Sequence, residues 1–403
     1  DNNGNSSIDK FHLYKLLDES LRFSDEEVLY EQAISKMLIE EDIFVTSENR
    51  LALSMLYFSE KRILDFFSRR KDEKNRKIIA TFDEYLLKKQ ETLGFELSIE
   101  QKKAVELINN GDKTLFLIGY AGTGKSTSSR AILELLEETM SYDDIMTIAL
   151  SGIASQRIAD TTGYNSSTIQ SLLMKHKEKD FFPYKAILLD EASMVNSVTF
   201  YQIISKISDD TIFIIVGDDG QLPAIGAGNV LADAIKYELA PICKLTKIYR
   251  QNENQAIAVI ANDIRKGEVP AYKEEYDDFK FIDVSISNYY ALKNSASAND
   301  FADLRGENSE YILNNILNIS AGYIEKYYDF IKKKKISKAL TLFQVITPMK
   351  AGILGVDNLN IQLQKLFNHT KGKAFVSKVY EYKLTDKVIH IKNENMKAQT
   401  MSM

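Results

Sequence analysis

From about Leu97 onward, short unbroken apolar runs alternate with stretches in which apolar residues recur every three or four positions. The runs are TLFLIG (114–119), IMTIAL (145–150), KAILLD (185–190) and TIFIIVG (211–217). Runs this short and this uniformly apolar predict strands buried on both faces. Their alternation with helical stretches, which continues to about Pro241, predicts a parallel sheet covered by helices, an α/β domain. Before it, residues 1–93 read as helices. Ile34, Met37 and Leu38, and again Ile63, Leu64 and Phe67, recur at helical spacing among charged residues. Beyond it, residues 270–330 are less regular, and 294–310 (NSASANDFADLRGENSE) reads as a loop or inserted segment. Four lysines, 332–335, follow a helical stretch and read as its solvated end. A second α/β segment is expected to begin at TLFQVITP (341–348).

Composition narrows the class without naming a function. The 403 residues are 44% hydrophobic and 27% charged with only 5 Pro, which is ordinary for a globular chain. No apolar run approaches the roughly 18 residues that a membrane span needs. The N-terminus carries no secretory signal. A lone Cys243 excludes an internal disulfide framework, and four scattered His argue against a His/Cys metal cluster. A cytoplasmic location is the expectation. The net charge of −6 gives no support to an overall basic nucleic-acid binder but leaves room for a local basic channel.

The chemistry is concentrated at the ends of the apolar runs. Gly119, Gly122, Gly124, Lys125 and Ser126 fill G-x-x-x-x-G-K-[ST], after a predicted strand and before a predicted helix. Glycines let successive backbone N–H groups face a β-phosphate, and the helix presents its positive end to it. Lys125 would reach the β/γ oxygens and Ser126 would ligate Mg²⁺, with Ala121, Thr123 and Thr127 completing the nucleotide cradle. LLDEASMV (188–195) brings Asp190 and Glu191 to a strand end. Asp190 would hold Mg²⁺ with Ser126, and Glu191 would orient and deprotonate the attacking water. In VGDDGQLPAIG (216–226), Gln221 could sense a γ-phosphate, although a tight polar turn has the same composition. Arg250, in KLTKIYRQ, is a candidate arginine finger for the charge that develops in phosphoryl transfer. Gln101 could read an adenine edge, or it could be an exposed helix residue.

In this order the segments resemble a superfamily 1 DNA helicase of the RecD-like, 5′→3′ branch, from about Leu97 to Lys392. LSIEQKKAV is similar to the adenine-reading Q motif, GYAGTGKST to motif I and LLDEASMV to motif II. GDDGQLPAIGAGNVLADAI (217–235) is similar to motif III and LTKIYRQ to motif IV. TPMKAGILGVDNLNIQLQ (347–364) resembles a segment of the family's second lobe. The resemblance implies an α/β P-loop NTPase with two RecA-like lobes, the second partial in this sequence, and a helical N-terminal domain. The implied division is 1–95, 96–243 for the first lobe and 244–403 for a partial second lobe, with an irregular insert at about 285–310. It also implies ATP and Mg²⁺ as cofactors, single-stranded or tailed duplex DNA as substrate, nuclease or repair-complex subunits as partners, and a monomer. Single-stranded DNA would lie on Ser151, Ser155, Arg157, Thr168 and Gln170 of the first lobe and on Lys350 of the second.

Three departures qualify that expectation. Gln170 stands where the family usually has His, which implies an altered grip on DNA. The segment 174–185 is short where the family carries a strand-splitting β-hairpin. The chain stops before the family's "V-H-K-S-Q-G" and "T-R-A" segments, and the expectation is that the full-length protein continues past Met403. The leading functional expectation is an ATP-dependent 5′→3′ helicase or translocase in DNA repair or recombination. An ATP-gated DNA-binding sensor, or a nuclease-complex subunit that does not unwind alone, is the alternative. The motor half of a conjugative relaxase ranks lower, because no tyrosine-plus-His-cluster nickase site is present.

Overall fold

The computed structural model describes residues 7–9, 12–13, 15, 27–47, 50–120, 122–247, 256–270, 276, 278–282, 298–370, 375–376, 381–384, 386 and 388. They divide into two compact units, 1–279 and 280–403. Among the described residues no helix is long and apolar enough to cross a membrane.

The first unit is built on a six-stranded parallel sheet. Its strands are β4 (Thr114–Gly119), β5 (Ile145–Ala149), β6 (Ser166–Thr168), β7 (Ala186–Leu189), β8 (Ile212–Gly217) and β9 (Ile242–Leu245), in the order β6-β5-β7-β8-β4-β9. The four predicted runs are the four inner strands, and every residue of β4, β5, β7 and β8 is buried. Period-two alternation sends neighbouring side chains to opposite faces. Phe116, Ile118, Ile187, Leu189, Phe213 and Ile215 join one core, while Leu115, Leu117, Leu188, Ile214 and Val216 join another. Both faces therefore need helical cover, which is why the runs carry no polar alternation.

One face is covered by α4 (Ile99–Asn109) and α5 (Lys125–Leu136), whose Ile108, Ile132 and Leu135 are fully buried. The other is covered by α8 (Ser197–Ile204) and by a helix from the N-terminal region, α2 (Ser54–Arg70). On α2 the residues Ile63, Phe66, Phe67 and Arg70 fall at i, i+3, i+4 and i+7 and are all buried. The Phe67 ring lies 5.4 Å from Phe116 and 6.0 Å from Phe200. Arg70 then closes the bottom of the sheet, donating to Thr114 Oγ1 (3.0 Å) and to the carbonyls of Lys113, Ser208, Asp209 and Thr211.

The helices read in residues 1–93 are α1 (Glu27–Ile39), α2 and α3 (Phe82–Leu93), but a small sheet joins them. Strands β1 (Ile8–Asp9), β2 (Ile43–Ser47) and β3 (Arg50–Leu53) pair antiparallel in the order β1-β3-β2. The remaining elements of this unit are α6 (Gly152–Thr162), α7 (Ile169–Lys175), α9 (Val230–Lys236) and α10 (Ala256–Lys266). Residues 174–185, where the resemblance implies a reduced hairpin, contain no strand.

In the second unit the structure corrects two expectations. The stretch 294–310 is not a loop where it is described: α11 (Ala298–Ala321) runs through it. Helix formation is cooperative, so the strong stretch from Tyr311 onward extends back through Asn, Asp and a single Gly306, each costing only a fraction of a kcal/mol up to about 1. TLFQVITP forms no strand. Its Leu342 and Phe343 instead pack with Tyr327 and Phe367, from α12 (Ile324–Lys332) and α14 (Val356–Phe367). A parallel strand requires a ladder partner, and among the described residues this segment has none. Lysines 332–335 are exposed at the end of α12, as the helix-end reading expects. A helix α13 (Ile336–Leu340) and a two-residue antiparallel pair, β10 (Phe375–Val376) and β11 (Glu381–Tyr382), complete the unit.

Candidate functional site

Many of the described residues singled out from the sequence, those that follow β4, β5, β6, β7 and β8, lie along the C-terminal edge of the parallel sheet. Strand β4 ends at Gly119 and leads into the phosphate-type loop, whose Gly122 and Gly124 take left-handed φ values of 85° and 86°. A side chain at either position would strain the turn. Gly119 is required for space, since a Cβ there would lie 2.5 Å from Thr123 Oγ1. Thr123 is itself buried, and its hydroxyl donates to the Tyr120 carbonyl at 2.9 Å. Gly124 is the N-cap of α5, so Lys125, Ser126 and Thr127 occupy that helix's first turn. The loop and the helix N-terminus together form a cradle for an anion.

Lys125 Nζ donates to the carbonyls of Gly119 (2.5 Å) and Tyr120 (3.0 Å). Burial lowers its pKa, against the opposing pull of Asp218, Glu191 and Asp190. Three carboxylates from two neighbouring strand ends thus act on one ammonium. Asp190 follows β7, and burial together with the neighbouring Glu191 raises its pKa. Its Oδ1 accepts from the Glu191 N–H at 2.9 Å. Glu191 is held at φ 53°, ψ 41°, and its Oε2 is buried without a hydrogen-bond partner. A non-glycine residue in that region stores about 1–3 kcal/mol and points to a geometry kept for function. An unpartnered buried carboxylate oxygen is equally costly, and both features suit a group that orients a water.

The turn after β8 is polar and tightly bonded. Asp218 is buried, its Oδ1 accepts from Gly220 N at 3.0 Å, and its carbonyl accepts from Gln221 N at 3.3 Å. Gln221 is exposed, and its Oε1 accepts from Ser193 Oγ at 3.3 Å, which links the strand ends of β7 and β8. Arg265, the penultimate residue of α10, donates from Nη2 to Asp218 (2.8 Å) and Asp219 (2.7 Å). Its guanidinium carbon sits 3.5 Å from the centre of the Tyr120 ring. This residue was not singled out in the sequence, because Arg-Lys in the last turn of an amphipathic helix reads as a dipole-capping pair.

Gln101 is not the exposed helix residue of the alternative reading. It is buried in a capping box, its Oε1 accepting from Ser98 N at 2.9 Å and its N–H donating to Ser98 Oγ at 3.2 Å. Ala121 and Arg250 lie outside the described residues. The DNA candidates of the first unit follow β5 and β6 on the same sheet edge. Ser151 caps α6 by accepting from Ala154 N, and Ser155 Oγ donates to the Gly152 carbonyl at 3.2 Å. Thr168 caps α7 by accepting from Ser171 N, and Gln170 is exposed in the first turn of that helix. Arg157 is exposed, and its charge acts on both Lys125 and Asp190. Lys350 is exposed in the second unit.

Among the described residues no group of three or more His, Cys, Asp or Glu could hold a metal ion. A Mg²⁺ ion here would draw on one hydroxyl, Ser126, and one carboxylate, Asp190, with the phosphates of a nucleotide supplying further oxygens. That donor set, all oxygen, fits Mg²⁺ chemistry.

Residues 96–285 match the family described as an AAA domain. The chain is 26% identical to the ATP-dependent RecD2 DNA helicase of Deinococcus radiodurans, over 87% of this chain and 43% of that protein. It is 24% identical to the RecBCD enzyme subunit RecD of Buchnera aphidicola, over 80% of this chain and 60% of that protein. A crystal structure of Pif1 helicase from Candida albicans aligns over 43% of this chain and 45% of its own, with 24% identity and a TM-score of 0.34. The chain therefore spans about half the length of the curated relatives it matches. The parallel sheet and the phosphate-type loop make this an α/β P-loop NTPase fold.

Proposed function

We propose that this chain is the nucleotide-binding part of an ATP-dependent DNA helicase or translocase that moves 5′→3′ on single-stranded DNA, in DNA repair or recombination. One observation carries the reading. The described nucleotide residues (119, 120, 122–127, Asp190, Glu191, Gln221) and the DNA candidates (Ser151, Ser155, Arg157, Thr168, Gln170) lie along one edge of one parallel sheet. Changes at the phosphates are then transmitted over a short path to groups that can grip a backbone.

Within this reading Lys125 holds the β/γ-phosphates, Ser126 and Asp190 hold Mg²⁺, and Glu191 accepts a proton from the attacking water. Gln221 senses the γ-phosphate, and Arg250 supplies the charge that completes the site. ATP favours a conformation in which second-lobe groups reach the γ-phosphate, and hydrolysis removes that differential contact. Residues 1–95, 96–243 and 244–403 serve as N-terminal region, first lobe and partial second lobe, with 244–279 of the last falling in the first compact unit. Hydroxyl, amide and guanidinium contacts give binding that is indifferent to sequence and weakened by salt. Lys350 would add one such contact from the second lobe. RecD of Buchnera aphidicola is named as a subunit of the RecBCD enzyme, which supports a nuclease-complex partner as a second possibility, with unwinding dependent on that partner. A monomeric, cytoplasmic protein completes the proposal.

The test is ATP hydrolysis with and without single-stranded DNA, followed by unwinding of duplexes carrying a 5′ or a 3′ tail. DNA-stimulated hydrolysis with unwinding of the 5′-tailed duplex supports the motor. Stimulation with neither duplex unwound favours the sensor or subunit alternative, and no hydrolysis under either condition rejects both.

A further inference from the structure

Arg265 joins three parts of the nucleotide edge that are far apart in sequence. Its side chain is 21% exposed and contacts Asp218, whose side chain is 5% exposed, together with Asp219. Its guanidinium carbon lies over the ring of Tyr120, the second residue of the phosphate-type loop. Gly220 provides the seat, because a Cβ there would lie 2.1 Å from the Arg265 guanidinium carbon. Among the described residues Arg265 is the one cation within ion-pair distance of Asp218, whereas Asp219 has Lys244 as a second partner at 2.9 Å.

This arrangement addresses an electrostatic conflict. Asp218 is the carboxylate that acts most strongly on Lys125. A buried anion beside a phosphate site does harm twice, by repelling the ligand and by competing for the lysine that should meet it. We propose that Arg265 is a positioning residue for nucleotide binding, which neutralises Asp218 and thereby leaves Lys125 and the cradle free for phosphate. The contact with Tyr120 fixes the guanidinium against the loop while the ion pairs fix it against the turn after β8. The inference rests on the reading of 119–127 as a nucleotide site and adds a residue outside every motif quoted for it.

Calorimetric titration of the 403-residue chain with Mg·ADP tests it through the sign of two effects. Removing the cation in Arg265→Gln should weaken binding about tenfold or more, since an uncompensated charge even about 12 Å from a ligand charge costs that much at an effective dielectric of about 20. Removing the anion in Asp218→Asn, which keeps the side-chain acceptor for Gly220 N, should tighten binding. The double variant should return close to wild type. A purely structural role for the pair would weaken binding in both single variants. Unchanged affinity in Arg265→Gln, or weaker or unchanged affinity in Asp218→Asn, overturns the proposal. Should Arg265→Gln fail to fold, the Asp218→Asn titration decides alone by the direction of its shift. If the wild-type chain takes up no Mg·ADP, the nucleotide-site reading itself fails, an outcome distinct from any pattern among the variants.

Discussion

Lys125 Nζ lies 2.5 Å from the carbonyl oxygen of Gly119, so the ammonium is held over the loop that contains it. Its partners are backbone oxygens, which no side-chain substitution nearby can remove. Lys125→Ala deletes the one cation of the cradle while leaving Gly122 and Gly124 to shape the loop. Hydrolysis should fall to background with an unchanged melting temperature. A variant with wild-type turnover would falsify the assignment of the site.

Glu191 combines a left-handed backbone with an unpartnered buried oxygen. Glu191→Gln should retain Mg·ATP binding and lose about 10²–10⁴-fold in turnover, the range for a general base. Glu191→Gly should do the same to turnover yet raise stability by about 1 kcal/mol, because glycine adopts φ 53° without strain. Urea titration and steady-state hydrolysis on the two variants check this opposition. Loss of stability in the glycine variant would show that the backbone there is not strained.

Arg70 donates to four main-chain carbonyls and one hydroxyl beneath the sheet, and burial lowers its pKa to about 10. It remains charged at neutral pH. Arg70→Met preserves the apolar stem but strands those acceptors, at a cost of about 3–5 kcal/mol. The unfolding free energy from urea titration should fall by that amount. A change below about 1 kcal/mol would mean that α2 is only loosely joined to the sheet.

His176 is buried against the edges of Phe182 and Tyr184, and neither ring nitrogen has a hydrogen-bond partner. Burial, then Lys179, Lys175 and Lys206, lowers its pKa from 6.5. The folded state therefore resists a proton that the unfolded chain accepts below pH 6.5. Stability is full above that pH and declines as pH falls toward the lowered folded value. The urea midpoint of wild type should drop between pH 6.5 and 5.5, and His176→Phe should flatten part of that drop. Parallel profiles for the two proteins would exclude His176 as a source.

The inner strands were legible because each is buried on both faces, so β4, β5, β7 and β8 appear as unbroken apolar runs. The edge strands were not. Ser166–Thr168 is short and polar, and Ile242–Leu245 carries an exposed lysine in mid-strand. The N-terminal sheet is equally short and half exposed; β2 and β3 adjoin in sequence, but the two-residue β1 joins β3 across α1 and β2. The candidate residues after β4, β7 and β8 could be singled out because phosphate chemistry demands glycines, lysine and paired carboxylates at strand ends. The capping box of Gln101 with Ser98 was not read from the sequence, although Ser98 stands three residues before it at the helix start. Arg265 shows a limit of that reasoning, because its acceptors lie 47 and 46 residues away and only the fold brings them together.

The most direct test of the motor reading separates movement from unwinding. Single-stranded DNA carrying streptavidin on a 3′ or a 5′ biotin is incubated with the chain and Mg·ATP. A 5′→3′ translocase displaces streptavidin from the 3′ end, leaves the 5′ end occupied, and does neither when Lys125 is replaced by alanine. Displacement from the 5′ end, or none from either end while ATP is hydrolysed, would contradict the account.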